Sequence, residues 1–237
     1  MRKKEWGFRL DTEYCKLSKM LDTLTWRSIN NFPITIEDID IANGLLSKGN
    51  YVGHCFINIF KYGWSTHILK RFHRLKLLQF YFPDVATLAT VPQNKRSTID
   101  ALEHTFKVLN ECDQKFPLDI TMKVAALFHD TGKKITYEKS RDFYGHEEES
   151  NTIFLNFIKN SFLLDKYQIK KVSMMILYHM IPLQFQRTPN WTQQTIDKWK
   201  NQLGEYAQPI IDFAIMDKKS NIGYVSPLLL ALKEEMK

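Results

Sequence analysis

From about Ser65 to the end of the chain, apolar residues recur at every third or fourth position, with few sustained runs at every second one. That spacing fills one stripe of a helix and gives a strand no buried face. A chain patterned this way buries its core by packing helix on helix, so the expected fold is all-α. One helix is expected from Ser97 or Thr98 to about Asn110, with Ile99, Leu102, Phe106 and Leu109 inward. The next is capped by Asp119, carries Ile120, Val124, Leu127 and Phe128, and ends at Gly132. A third follows Gly145 and packs Ile153, Phe154, Phe157 and Ile158. Another starts near Asp165 with Ile169, Val172, Ile176, Leu177 and Met180 inward, and Pro182 lies just past its end. A last one opens with Pro209 near its first position and shows Ile210, Phe213 and Ala214. Ahead of Ser65, helices are expected at 11–30 and 35–48, with turns at Asn43-Gly44 and Lys48-Gly49-Asn50. The reading divides the chain into an N-terminal helical extension or cap, 1–70, and a main helical domain, 71–237.

Several polar residues fall on the wrong face. The stretch VAALFHDTGKK places His129-Asp130 where an apolar helix ends. The last turn of a helix already carries partial negative charge, so Asp130 is unfavourable there unless a cation is near. Asp217 sits seven residues after Ile210 and four after Phe213, on the stripe that faces the core. A carboxylate there costs several kcal/mol unless an Arg, a Lys or a metal compensates it. His179 falls close in angle to Val172, His104 lies beside Ala101 and Val108, and His146 opens its helix after Phe143-Tyr144-Gly145. Each position alone fits a hydrogen-bonded core histidine, a paired carboxylate or a helix-start residue. One converging cation explains all of them together. His104, His129, Asp130 and Asp217 supply two imidazoles and two carboxylates, a set suited to a borderline or hard divalent ion with open positions. His146 and His179 are then ligands of a second ion or contacts to a substrate phosphate.

Charge and composition bound the partners. The formal charge is +7, with basic clusters at Arg2-Lys3-Lys4 and at Lys61, Lys70, Arg71, Arg74 and Lys76, the second interleaved with Trp64, Phe72 and Phe80. That pattern suits a solvated basic face or a phosphate-rich partner such as RNA or a nucleotide. No apolar run approaches a membrane span, and the basic N-terminus lacks an apolar signal core, which argues against export. Cys15, Cys55 and Cys112 form no CxxC pair, which argues against disulfides and a thiolate zinc site and fits a reducing cytoplasm.

The order His104, His129-Asp130, Asp217 resembles the HD superfamily of metal-dependent phosphohydrolases, and adding His146 and His179 makes it similar to the more histidine-rich members. From about Leu75 to Asn221 the chain resembles the HD domain of bacterial CCA-adding tRNA nucleotidyltransferases. The matching stretches are YFPDVATLATVPQ (81–93), TIDALEHTFKVLN (98–110), ALFHDTGKKITYEK (126–139), FYGHEEES (143–150), YHM (178–180) and DFAIMDKKSN (212–221). The nucleotidyltransferase head has no counterpart. Asp38-Ile39-Asp40 has its carboxylate spacing, but no glycine pair precedes it, so it reads as a helix-start acid cluster and CCA addition is not expected.

The resemblance implies an HD-domain helical bundle that hydrolyses nucleotide phosphoesters: the 2′,3′-cyclic or terminal phosphate of RNA or of free nucleotides. It implies one or two divalent ions (Mn, Ni, Co, Fe or Mg) on His104, His129, Asp130, His146, His179 and Asp217. Asp130 is expected to act as ligand and as the base that orients the attacking water. Lys133 is expected either to bind a phosphoryl oxygen or to be an exposed C-cap lysine. Arg141 is a phosphate contact or a solvated loop residue. Two alternatives stand beside this reading: a non-catalytic RNA- or partner-binding module carried by the basic segment 61–80, and an HD-type nuclease.

Overall fold

The computed structural model describes residues 12–46, 56–95, 97–159, 164–185 and 192–235. Lys48-Gly49-Asn50, the Arg2-Lys3-Lys4 cluster and Cys55 lie outside the described residues, as does the side chain of Cys15. The expected all-α architecture is what the chain adopts: no strand occurs among the described residues, and an isolated bridge joins Pro92 to Asp100.

The N-terminal part comprises α1 (Thr12–Ile29), α2 (Ile36–Leu46), α3 (Phe56–Phe60), α4 (Ser65–Arg74), α5 (Leu78–Tyr81) and α6 (Pro83–Ala86), followed by a 3-10 turn at Thr87–Thr90. Asp38 serves as the helix-start acid of α2. It accepts from Thr35 N–H at 2.8 Å, while its own N–H donates to Thr35 Oγ1 at 3.1 Å, and Arg27 pairs with it. The turn expected at Asn43-Gly44 is absent, because both residues lie within α2. That helix packs along α1, and burial of Ala42 and Ile39 there outweighs the turn preference of the dipeptide.

The remainder comprises α7 (Ala101–Lys115), α8 (Ile120–Phe128), α9 (Lys133–Ser140), α10 (His146–Lys159), α11 (Lys166–Tyr178), α12 (Ile181–Phe185), α13 (Gln193–Leu203), α14 (Ala207–Ile222) and α15 (Pro227–Glu235). Local chemistry starts each main helix. Asp100 accepts from Glu103 N–H, Asp119 accepts from Thr121 and Met122 N–H, and Asp165 forms a reciprocal capping box with Gln168. The cap at Asp100 starts α7 a little later than Ser97 or Thr98. Pro209 lies in the first turn of α14, where a missing N–H costs nothing.

These helices stack in sequence: α10 on α11, α11 on α8, α8 on α7, and α7 on both α14 and α4, with α1 beyond α4. The buried apolar residues form one cluster running from Leu21 to Leu232. Because α7 is covered by α4, α8 and α14, its inward face is wider than the stripe Leu102, Phe106, Leu109; Ala101, His104, Thr105 and Val108 are buried as well. No helix among the described residues is long and apolar enough to cross a membrane.

A buried polar knot ties the segment between α3 and α4 to α8 and the end of α7. Lys123, in the middle of apolar α8, has no exposed surface. Its ammonium donates to the carbonyls of Phe60 (2.8 Å), Tyr62 (2.7 Å) and Pro117, with Asp113 Oδ1 3.7 Å away. Asp113 in turn accepts from Thr66 N–H at 2.7 Å.

Candidate metal centre

Four helices and one turn deliver the expected side chains to one buried point. The turn after α8 carries His129 and Asp130, α7 carries His104, α10 begins with His146, the end of α11 carries His179, and α14 carries Asp217. All six are buried. Asp130 is central: Oδ2 lies 3.1 Å from His129 Nε2 and 3.7 Å from His104 Nε2, and Oδ1 lies 3.3 Å from His146 Nε2. Asp217 Oδ1 lies 2.8 Å from His104 Nε2 and 4.0 Å from His129 Nε2. Two sets of ligand atoms fall within 4.8 Å of one another: His104, His129 and Asp130, and then Asp130, His146 and His179.

Most of these approaches are not hydrogen bonds. His104 Nε2, His129 Nε2 and His146 Nε2 are buried without a hydrogen-bonding partner, while Asp130 Oδ2 has the Lys133 ammonium 2.8 Å away. Stranding such atoms costs about 1–3 kcal/mol each, more where charge is involved. Lone pairs that face one another at such distances match the spacing of ligands about 2.1 Å from a shared divalent ion. The other ring nitrogen of three imidazoles is tied back. Nδ1 of His129 meets Ala126 O at 2.9 Å, Nδ1 of His146 meets Phe143 O at 2.8 Å, and Nδ1 of His179 meets Ile176 O at 2.8 Å. A carbonyl requires the proton on Nδ1, so Nε2 is the free lone pair, and it points inward. The donor set therefore fits a divalent cation.

The electrostatics agree. Burial raises the Asp130 carboxyl, but His129 and Lys133 outweigh it and hold the group well below the usual carboxylate range. Asp217 behaves alike: burial opposes ionisation, and His104, then His129 and His179, more than reverse it. Burial, with His129 and His146 adding to it, lowers His179 to about 3, so it is neutral at neutral pH. Burial also lowers His129, yet the carboxylates of Asp130 and Asp217 bring it above its ordinary value.

Lys133 is buried, which removes the exposed C-cap reading. Its Nζ donates to Gln93 O at 3.1 Å and Gln93 Oε1 at 3.0 Å, and lies 2.8 Å from Asp130 Oδ2. Arg141 belongs to neither ligand set. It ends α9 in the left-handed region (φ 55°), exposed, with its guanidinium 5.2 Å from the Tyr137 ring centre. Tyr137 stacks on Phe143 (centroids 5.5 Å apart, 11°), and Phe143 faces Lys133. Within the basic segment, Arg71 donates to the carbonyls of Arg27 and Phe32, Lys70 pairs with Glu103 at 3.5 Å and Phe72 is in the core, while Lys61, Arg74 and Lys76 are exposed.

Three further residues shape the site. Gly132 has an ordinary right-handed φ of −67°, so it is not there to end a helix. A Cβ at this position would stand 2.3 Å from His146 O and 2.6 Å from Ser150 N; the glycine lets the start of α10 approach the His129-Asp130 turn. Ser150 accepts from Gly132 N–H at 2.8 Å, one helical turn past His146. Phe213 lies edge-on to His129 (5.6 Å) and His179 (6.2 Å), an apolar wall one turn before Asp217. A glycine between Asp and Lys in a turn is a readable hint of close approach, and Phe213 was on the expected inward stripe. Ser150 and Gln93 carried no local signal. The chain matches no protein-family model and no curated protein.

Proposed function

We propose that the chain is a divalent-metal-dependent phosphohydrolase acting on nucleotide phosphoesters, the 2′,3′-cyclic or terminal phosphate of RNA or of nucleotides. The carrying observation is the convergence of unpartnered imidazole Nε2 atoms on two carboxylates in a buried site, with three of the imidazoles tied to backbone through their other nitrogen. The resemblance of these residues to the HD superfamily supports the choice of reaction. His104, His129 and Asp130, with Asp217 beside them, would hold one ion; Asp130, His146 and His179 would hold another. When bound, such an ion supplies Lewis acidity toward water and toward a phosphoryl oxygen.

The residues themselves supply the rest. With His129 neutral, as a metal ligand must be, two carboxylates and one ammonium leave the pocket with a net negative charge, and a dication reverses that sign, which suits a phosphodiester anion. Asp130, held ionised, accepts a hydrogen bond from water and orients it for in-line attack. Lys133 balances Asp130 and presents positive charge to a non-bridging oxygen. Phe213 and the apolar ends of α8 and α11 keep bulk water out, which strengthens each of these interactions.

The test is hydrolysis of bis-p-nitrophenyl phosphate and a 2′,3′-cyclic nucleotide with Mn²⁺, Ni²⁺, Co²⁺ or Mg²⁺. Asp130→Ala is expected to abolish turnover while far-ultraviolet circular dichroism stays unchanged. Turnover that survives Asp130→Ala would falsify the assignment. Internal cuts in a labelled oligonucleotide would shift the substrate to polynucleotide interiors.

A further inference from the structure

Gln93 belongs to neither ligand set, yet it is buried, and both of its oxygens turn to one ammonium. Glutamine is ordinarily a surface residue. The loop that carries it is closed by its own backbone: Gln93 N–H donates to Ile99 O at 3.1 Å, and Ala101 N–H donates to Val91 O at 2.8 Å. Asp100, bridged to Pro92, then caps α7, the helix that carries His104. One short loop therefore sets the start of a ligand-bearing helix and grips the lysine that opens α9.

A lysine ammonium on a four-carbon stem has little directional preference of its own. The two hydrogen bonds from Nζ to Gln93 supply that direction. They leave the charge 2.8 Å from Asp130 Oδ2, with the Phe143 ring 5.5 Å away on another side. Removing Oε1 deprives one N–H of its partner in a closed pocket and lets the ammonium swing off Asp130.

We infer that Gln93 is a positioning residue for this centre: it holds Lys133 against Asp130 and so sets the charge that a cation and a phosphoester meet there. The turnover arm of its test rests on the phosphohydrolase reading, and the metal-affinity arm does not.

The experiment compares Gln93→Met, Lys133→Met and the double variant in the full chain. Mn²⁺ affinity is measured by competition with a chromogenic chelator, and turnover is measured on 2′,3′-cyclic AMP. Gln93→Ala serves as a second variant, and neither substitution touches the backbone bonds that close the loop. Displacing a unit positive charge from beside a dication is expected to tighten Mn²⁺ binding on the order of tenfold. Turnover is expected to fall on the order of tenfold in kcat, with KM little changed, as transition-state charge loses its partner. In the Lys133→Met background, Gln93→Met should change neither quantity further. A role in packing alone gives the opposite signature: Mn²⁺ binding loosens, or the losses add in the double variant. Either result overturns the inference. A wild type that shows the affinity pattern but no turnover sinks the phosphohydrolase reading and leaves the role of Gln93 standing.

Discussion

Three imidazoles of the cluster give one nitrogen to their own backbone and keep the other for the centre. Asparagine in place of histidine retains a donor near Nδ1 and deletes Nε2. His179→Asn is therefore expected to fold and to lose the ion held with Asp130 and His146, while the ion on His104, His129 and Asp130 remains; metal content per chain by mass spectrometry checks this. The same variant tests the electrostatics. Burial and its imidazole neighbours lower His179 to about 3, so below its ordinary 6.5 the unfolded chain takes up a proton that the folded chain refuses. The ion-free protein is then destabilised as pH falls from 6.5 toward 3, by up to about 1.4 kcal/mol per pH unit. His129 does not mask this slope, because a raised pKa contributes stability that is already complete below 6.5. Urea unfolding between pH 6.5 and 4.5 should show a shallower slope for His179→Asn than for wild type. Lys123 is a separate case, on α8 six residues before His129 and in neither ligand set. Replacing it with Met strands three carbonyls and Asp113, and should cost about 3–5 kcal/mol in denaturant unfolding with Mn²⁺ affinity unchanged.

Among elements, the contact between the His129-Asp130 turn and the start of α10 is the most exacting. Gly132→Ala puts a methyl group 2.3 Å from His146 O, against backbone that cannot step aside alone. Helix α10 must withdraw, and His146 goes with it. The expected result is a loss on the order of 1–3 kcal/mol in stability and a selective loss of the ion on Asp130, His146 and His179. An unchanged metal content in Gly132→Ala would show that α10 tolerates the methyl group. The starts of α8 and α11 were legible in the sequence because their caps are local: Asp119 acts two and three residues ahead, and Asp165 acts on Gln168. Asp217 and His179 were legible because a polar group on an apolar stripe is a local contradiction, and His129-Asp130 because they close an apolar helix; His104, at the border of its stripe, and His146, at a helix start, gained meaning only beside the others. Gln93 was not legible, since its partner lies 40 residues on and nothing beside it in the chain hints at the contact. The buried Lys123 was hidden for the same reason, its carbonyl partners at Phe60 and Tyr62 being 63 and 61 residues away. Asn43-Gly44 misled because α1 stabilises as helix a dipeptide that, alone, prefers a turn.

For the whole molecule, the centre is the point where α7, α8, α10, α11 and α14 meet, so what occupies it bears on the fold. Without a cation, two buried carboxylates face several imidazole lone pairs, and His129 eases the excess charge by holding a proton above its ordinary 6.5. That stabilisation is complete below 6.5 and is lost as pH rises through the raised value. A divalent ion competes with the same proton, so its affinity rises with pH over that interval. The two effects act in the same direction: alkaline pH weakens the ion-free state and favours the ion-bound one. At a free Mn²⁺ concentration about 100 times Kd, binding to the folded state alone adds about 2.7 kcal/mol. For a chain of this size that amounts to a rise of roughly 5–10 °C in Tm. The rise should be larger at pH 8 than at pH 6, should vanish on chelation, and should be absent in Asp130→Ala. Differential scanning fluorimetry at the two pH values, with and without Mn²⁺, decides it. A Tm that ignores Mn²⁺ at pH 8 would mean that the five helices close on a pocket whose unpartnered nitrogens bind no metal.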